Sequence, residues 1–163
     1  MPSEFIPEFF EAPKFFDTEF FHFRILEAEI AKLDFEAVMS SQKRLQGIFG
    51  PESEWPKRGM TLEENVESLK MHQQEFESRK AFAYSVFNGS KDKCLGSVYI
   101  DPSQSPNYDC EVYLWVRDDS FTLDNELYQT VLNWLQNVWP FSNVAFPGRT
   151  TPWKEWKIEL SVV

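Results

Sequence analysis

The sequence predicts an α/β fold in which helices flank a central, mostly antiparallel sheet. Apolar residues make up 42% of the 163 residues, which is enough to form a hydrophobic core. Apolar side chains recur at strand spacing in some segments and at helix spacing in others. Turn signals such as Asn88-Gly89 and Asp101-Pro102 separate the strand-like segments. The predicted order is β-α-α-β-β-β-α-β, within a single domain that covers residues 1–163.

The elements predicted before the central strands are one strand and two helices. They cover residues 20–26, 33–45 and 61–80, with a loop at 47–59 between the helices. Asp34 is a candidate cap for the first helix. Thr61 and Glu64 form the capping-box pattern that opens the second helix. Arg79 and Lys80 place positive charge near its C-terminus, where the helix dipole favours it.

Three strands, a helix and a short strand are predicted in the second half. They cover residues 81–87, 94–100, 109–116, 125–138 and 143–146. Strand alternation places Glu111, Tyr113 and Trp115 on one face of the third strand. The helix is expected to direct one apolar stripe toward the core: Leu127, Val131, Trp134, Leu135 and Val138.

The two ends of the chain carry separate predictions. Residues 1–19 are rich in Phe and contain three prolines, which exclude a long helix. We expect this segment to be an arm that packs on the body or on a second subunit, so a homodimer is compatible with it. Residues 147–163 are predicted to be a C-terminal tail.

Charge and hydropathy argue against several classes of partner. The formal net charge is −10 and the basic residues are scattered, whereas a protein that binds nucleic acid needs clustered Lys and Arg. No apolar run approaches the roughly 18 residues of a membrane span. A secretory signal needs a basic start followed by an apolar stretch, and the sequence shows neither. We therefore expect a cytoplasmic protein without nucleic-acid or membrane partners.

The two cysteines, Cys94 and Cys110, do not have a metal-binding spacing. If residues 94–100 and 109–116 pair around the loop between them, Tyr99 lies roughly opposite Cys110. Cys94 then lies several rows away, too far for a disulfide. The expectation is two reduced, half-buried thiols and no metal.

Three segments carry a family resemblance: AFAYSV at 81–86, CLGSVYI at 94–100 and DCEVYLWV at 109–116. With the predicted element order, they resemble the second, third and fourth strands of the GNAT-type N-acetyltransferases. The resemblance covers residues 20–146, about four fifths of the chain. It implies acetyl-CoA bound where the fourth and fifth strands diverge, and a small-molecule or peptide amine as the acceptor.

The resemblance also implies roles for individual residues. Glu111 matches the position where some members place the general base, and Asp101 could orient the amine. Tyr113 and Tyr128 are candidate acids for the departing thiolate. The backbone of the fourth strand and the segment after it would bind the cofactor, through Leu114, Trp115, Val116, Arg117 and Asn125.

The sequence departs from the family pattern at two places. Members carry a glycine-rich segment after the fourth strand, whose N–H groups bind the pyrophosphate. Residues 117–125 instead contain no glycine and three aspartates, and Arg117 could offset only part of their negative charge. After the last predicted strand only 149–163 remain, where members carry a further helix and two strands.

Several residues also have purely structural interpretations. Glu111 could be an exposed residue at a strand end, and Asp101 could simply open a turn. His72, beside Leu69 on an apolar helix face, is expected to be packed, and His22 to be exposed. Trp55, Trp153 and Trp156 could line an acceptor groove or cover the core.

These observations leave alternative functions. One is an acetyl-CoA-dependent N-acetyltransferase with Glu111 as the base, which the strand pattern favours. Another is a non-catalytic relative that serves as a binding or interaction module, which the acidic loop favours. A small-molecule-binding domain with a different cofactor is a third.

Overall fold

The computed structural model describes residues 5–162, in which helices flank a six-stranded sheet. The strands are β1 (Phe15–Asp17), β2 (His22–Ile25), β3 (Phe82–Phe87), β4 (Cys94–Pro102), β5 (Cys110–Val116) and β6 (Val144–Ala145). The helices are α1 (Ala31–Ser40), α2 (Gln42–Leu45), α3 (Leu62–Glu77), α4 (Asp124–Asn137) and α5 (Trp153–Ser161). The strands are adjacent in chain order, and all pairs are antiparallel except β5–β6, which is parallel.

This architecture confirms the predicted fold class and the predicted order of the core elements. It adds β1 in the arm and α5 in the tail. Residues 1–4 of the predicted arm and residue 163 of the predicted tail lie outside the described range. Within that range, every helix is too short or too polar to cross a membrane.

The sheet separates two hydrophobic clusters, as strand alternation predicts. Val112 and Leu114 face α4, whose residues Leu127 and Trp134 complete this cluster. The opposite face carries Tyr113 and Trp115 and packs against α1 and α3. All seven side chains of β5 are buried, because helices cover both faces of the strand.

The described part of the arm packs on the body, which confirms one of the two predicted arrangements. The ring of Phe16 stacks on Trp134 at a centroid distance of 4.7 Å. The Tyr84 hydroxyl donates a hydrogen bond of 2.6 Å to the carbonyl of Pro13. The Arg79 guanidinium donates to the carbonyls of Pro7 and Phe10, both at 2.8 Å.

The predicted first helix is two helices, and the predicted role of Asp34 is wrong. The chain turns at Ser41, between α1 and α2, where φ is −125° and ψ is 18°. Asp34 lies inside α1 and is 3% exposed, so its side chain faces the core instead of capping the helix. Ile30 occupies the N-cap position without a side-chain hydrogen bond.

The ends of α3 and α4 are partly as predicted. The capping box is present, with Thr61 Oγ1 accepting from the Glu64 amide at 3.1 Å. However, α3 ends at Glu77, before the basic residues expected in its last turn. Val138 is 46% exposed instead of facing the core, because α4 ends at Asn137 and the buried Trp139 fills the space.

The predicted register between the second and third central strands is also wrong. Tyr99 pairs with Tyr113 and not with Cys110, which lies opposite Pro102. Strand β4 therefore continues two residues beyond its predicted end and includes Asp101. Both cysteines are free, as expected, but they are fully buried.

The contact between β4 and β5 leaves no space for a side chain at Gly96. A Cβ atom built there would lie 1.9 Å from the carbonyl oxygen of Trp115. We therefore expect Gly96→Ala to destabilise the fold by about 1–3 kcal/mol, the usual range for an overpacked core. Thermal unfolding measures the loss. Gly89→Ala is the matched control, because nothing lies within 4 Å of that position, and an equal loss in both variants would contradict this account.

Candidate functional site

The two last strands of the sheet diverge. β5 pairs with β6 only at Cys110 and Glu111. β6 ends at Ala145, so within the described chain the rest of β5, as far as Val116, has no strand beside it on this side. The result is a free strand edge in the middle of the molecule.

Alternation along β5 determines which backbone groups lie at the free edge. The Arg117 N–H donates to the Leu95 carbonyl at 2.7 Å, so Arg117 directs its backbone toward β4. In an antiparallel ladder alternate residues do the same, and the residues between them face the other way. Val112, Leu114 and Val116 therefore present their N–H and C=O groups to the opening.

This geometry corrects one member of the predicted cofactor-binding set. Leu114 and Val116 present their backbone to the opening as the prediction requires. Trp115 is paired with Ser97, so its backbone faces β4 and cannot bind a ligand at the free edge.

A cleft of about 440 Å³ lies along the free edge. Two arginines line it, Arg44 from α2 and Arg149 from the segment between β6 and α5. Arg149 donates two hydrogen bonds to Asp124, at 2.8 and 3.1 Å, and approaches the Leu114 carbonyl at 3.5 Å. Arg44 donates to Asp118 and to the carbonyl of Val116. Both guanidiniums therefore reach the edge of β5.

The acidic segment after β5 is neutralised by these pairs. Asp118 is bound by Arg44 and Asp124 by Arg149. Asp119 is bound by Lys93 at 3.0 Å and by Arg117 at 2.9 Å. No local sequence pattern points to Arg44 and Arg149, because they lie far along the chain from the segment they neutralise.

Arg117 is not positioned to bind a ligand phosphate. It is 3% exposed, and its guanidinium donates to both carboxylate oxygens of Glu36 at 2.5 Å. The hydrogen bonds to Glu36 raise the pKa of Arg117, so it stays charged. Asn125, also predicted to bind the cofactor, is exposed in the first turn of α4.

A pair of carboxyl groups lies side by side on the face that contacts α1 and α3. Asp101 of β4 pairs directly with Glu111 of β5, a separation of about 5 Å between Cβ atoms. Glu111 is 2% exposed and accepts hydrogen bonds from the Gln104 backbone and side chain, at 2.5 and 3.3 Å. The Tyr113 hydroxyl donates at 2.8 Å to Oε2, the same oxygen that accepts from the Gln104 side chain.

Asp101 and Tyr113, whose side chains lie beside that of Glu111, have shifted pKa values. Burial, together with the nearby charges of Glu75 and Glu111, raises the pKa of Asp101 to about 7. Burial and the hydrogen bond to Glu111 raise the pKa of Tyr113, so its hydroxyl stays protonated at neutral pH. Asp101 is partly exposed and lines a cavity, unlike Glu111.

A second cleft of about 600 Å³ adjoins the first, and Tyr113 and Trp153 line both. Trp156 lines the second cleft and is 2% exposed, while Trp55 packs on Phe49 over the core. Tyr128, the other predicted acid, lies on α4. Its ring packs edge-on against Phe146 at 5.0 Å and beneath Arg149.

A third carboxyl group, that of Asp34, is buried between α1, α3 and β4. Its Oδ2 accepts a hydrogen bond of 2.9 Å from the Asn65 side chain, whose amide also donates to the Ala31 carbonyl. Oδ1 and the nearby Ser97 hydroxyl complete no hydrogen bond with any residue in 5–162. Burial raises the pKa of Asp34 to about 6, and the Asn65 amide and the nearby Ser97 hydroxyl only partly oppose this.

No protein-family model matches the chain, and no curated protein sequence matches it significantly. Solved structures do match. The ribosomal-protein-S5-alanine acetyltransferase from Vibrio fischeri has a TM-score of 0.58 and 18% identity, over 76% of this chain and 69% of that chain. RimL, a ribosomal L7/L12 α-N-protein acetyltransferase in complex with coenzyme A, has a TM-score of 0.57 and 15% identity. The match covers 72% of this chain and 64% of RimL.

A third neighbour, the Salmonella typhimurium acetyltransferase that modifies the N-terminal serine of L7/L12, has a TM-score of 0.53 and 13% identity. The match covers 73% of this chain and 66% of that chain. The chain thus spans about two thirds of the length of these proteins. The likeness shows that it has the GNAT-type N-acetyltransferase fold, which confirms the resemblance found in the sequence.

The buried Asp34 predicts a specific dependence of stability on pH. Its pKa is higher in the folded chain than its ordinary value of 3.8, so the folded state binds the proton more tightly. Its contribution to stability is therefore complete below about pH 4 and is lost as the pH rises to about 6, a change of about 3 kcal/mol. Asp34→Asn should remove this loss, so the variant gains stability relative to the wild type across that interval. Denaturant unfolding from about pH 4 to 7 measures the difference, and a constant difference would contradict it.

Proposed function

We propose that this protein is an N-acetyltransferase that uses acetyl-CoA and an amine acceptor. The divergence of β5 from β6 is the observation that carries the proposal. It leaves the peptide groups of Val112 and Leu114 facing a cleft, where the amides of a pantetheine arm can form strand-like hydrogen bonds. The structural neighbour RimL, which was solved in complex with coenzyme A, supports the proposal that this fold binds the cofactor.

The residues at the free edge fit the cofactor in a way that differs from a glycine-rich loop. Arg44 and Arg149 would hold the pyrophosphate, since both line the cleft and guanidinium groups bind phosphate in a bidentate manner. Each arginine already binds an aspartate, so the phosphates would share these cations with Asp118 and Asp124. Because these aspartates compete with the phosphates for the arginines, we expect the affinity for acetyl-CoA to be moderate.

When bound, acetyl-CoA supplies an activated thioester, and transfer to an amine forms a C–N bond, breaks a C–S bond and releases a proton from the nitrogen. We assign the removal of this proton to Asp101. Its carboxyl group is accessible from a cavity, and its pKa of about 7 suits a general base at neutral pH.

Glu111, the base favoured by the sequence, is better suited to a positioning role. Its oxygens are buried and already accept hydrogen bonds from Gln104 and Tyr113. Its negative charge also helps to raise the pKa of Asp101. Tyr113 lines both clefts and keeps its proton, so it remains the candidate acid for the departing thiolate.

Acetyl-CoA should stabilise the folded protein. At a concentration about a hundredfold above its Kd, the ligand adds about 2.7 kcal/mol, which raises Tm by about 5–10 °C for a chain of this size. Thermal unfolding with acetyl-CoA and with free coenzyme A measures the shift. No shift at millimolar acetyl-CoA would overturn the proposal and favour the non-catalytic binding module.

The same measurement on a variant locates the site. Arg149→Gln should weaken acetyl-CoA binding by roughly tenfold or more, because it removes charge-assisted hydrogen bonds. Arg24→Gln is the matched control: Arg24 also binds an aspartate, Asp17, but it lies on β2 at the other side of the sheet. Equal weakening by both variants would indicate a non-specific charge effect.

The assignment of the base makes a prediction about the pH dependence of the activity. An acid with a pKa of about 7 must lose its proton to act as a base, so kcat/KM should rise with pH up to about 7. Asp101→Asn should lower kcat/KM by about 10²–10⁴-fold and abolish this limb of the profile. Acetylation assays with a panel of amines measure both effects.

Glu111→Gln is the comparison for that experiment. If Glu111 is a positioning residue, the variant retains the limb but moves it to lower pH, because one negative charge near Asp101 has been removed. If Glu111→Gln abolishes the limb and Asp101→Asn retains it, Glu111 is the base that the sequence predicted.

A further inference from the structure

A separate cavity of about 260 Å³ lies between α1, α3 and β4, beneath the loop that follows α2. It adjoins the clefts at Phe49, which also lines the second cleft. Its lining includes two carboxyl groups, a histidine and three aromatic rings: Asp34, Asp101, His72, Phe49, Trp55 and Tyr99.

Asp34 is the group in this cavity that most needs a partner. It is 97% buried, and its Oδ1 completes no hydrogen bond within the described chain, although the Ser97 hydroxyl lies near enough to lower the pKa of the carboxyl group. The Asn65 side chain cannot serve both oxygens, because its amide already donates to Oδ2 and to the Ala31 carbonyl. A buried carboxylate without a neighbouring cation is unfavourable, so a positively charged ligand in the cavity would stabilise the ionised form.

The cavity has negative groups but no protein cation to balance them. Asp101 is the second acid in the lining, and Glu75 and Glu111 add negative charge near it. The lining residues include neither Lys nor Arg. Burial lowers the pKa of His72, so the imidazole is neutral at physiological pH. The site is therefore complementary to a positive ligand.

The remaining walls favour an organic cation over a metal ion. Phe49 packs against Trp55 and Tyr99, at centroid distances of 5.3 and 5.0 Å. Aromatic rings contact hydrocarbon well and attract ammonium groups through cation–π interactions. Residues 5–162 also contain no group of three or more side chains arranged to hold a metal ion.

We propose that this cavity binds the ammonium group of a compact alkyl- or arylalkylamine, which is the acceptor if the acetyltransferase function proposed above holds. Asp34 and Asp101 accept its N–H groups, and the aromatic rings contact its hydrocarbon part. The volume of about 260 Å³ lies just below the usual range for ligand pockets, about 300–1,000 Å³, which favours a small monoamine over a peptide N-terminus.

Calorimetric titration without acetyl-CoA tests this proposal. At about pH 8 both carboxyl groups are ionised and primary amines remain protonated. The probes are 2-phenylethylamine and its neutral analogue 2-phenylethanol. We expect the amine to bind and the alcohol to bind at least roughly tenfold more weakly, since it lacks the charge. Equal affinities, or no amine binding at millimolar concentration, would overturn the proposal.

Variants locate the bound amine. Asp34→Asn and Asp101→Asn should each weaken it by roughly tenfold or more, because a charge-assisted hydrogen bond is lost. Glu67→Gln is the control for net charge, since Glu67 is exposed on the outer face of α3. Amine binding that is insensitive to both Asp variants, or equally sensitive to Glu67→Gln, would place the amine elsewhere on this acidic protein.

The outcome is independent of the test for acetyl-CoA. Amine binding without stabilisation by acetyl-CoA would support the ammonium site and overturn acetyl transfer. Stabilisation by acetyl-CoA without amine binding would leave the transferase proposal in place and overturn the ammonium site.

Discussion

The pairing between β4 and β5 is the constraint on which the candidate site depends. It places Asp101 beside Glu111 and Tyr99 beside Tyr113, so that all four side chains share the face that contacts α1 and α3. The two strands approach closely where Gly96 meets the Trp115 carbonyl, which only a residue without a Cβ atom permits. A shift of β5 by one residue relative to β4 would move Glu111 to the apolar face that packs against α4 and separate it from Asp101.

The free edge of β5 depends on how the chain leaves the sheet. β6 pairs with β5 for two residues and then turns away, and Arg149 returns from this turn to bind Asp124 at the start of α4. Arg44 makes the corresponding contact from α2 with Asp118. The cations that would compensate for the missing glycines thus come from two distant segments, and they also hold α2 and the C-terminal segment against the edge.

The sequence predicted the features that local patterns determine. Alternation assigned the faces of β5 correctly, and the capping box located the start of α3. The register between β4 and β5 was not predictable, because it depends on the conformation of the loop that joins them. That loop is held by Asp109, whose carboxylate accepts from the amides of Ser142 and Asn143 before β6. Asp is a common helix-capping residue, so the sequence suggested that Asp34 caps a helix. Its side chain is instead buried and hydrogen-bonded to Asn65.

The distribution of buried polar groups supports function on one face of the sheet. The cluster against α4 consists of apolar and aromatic side chains, whereas Asp34, Asn65 and Glu111 are buried on the opposite side. Buried carboxyl groups seldom improve stability over apolar residues of similar size. Two acids with raised pKa values that line one cavity are therefore better explained by the binding of a ligand than by folding. Because Glu111 lies next to Asp101, its charge links the hydrogen bonds of Gln104 and Tyr113 to the proton affinity of the proposed base.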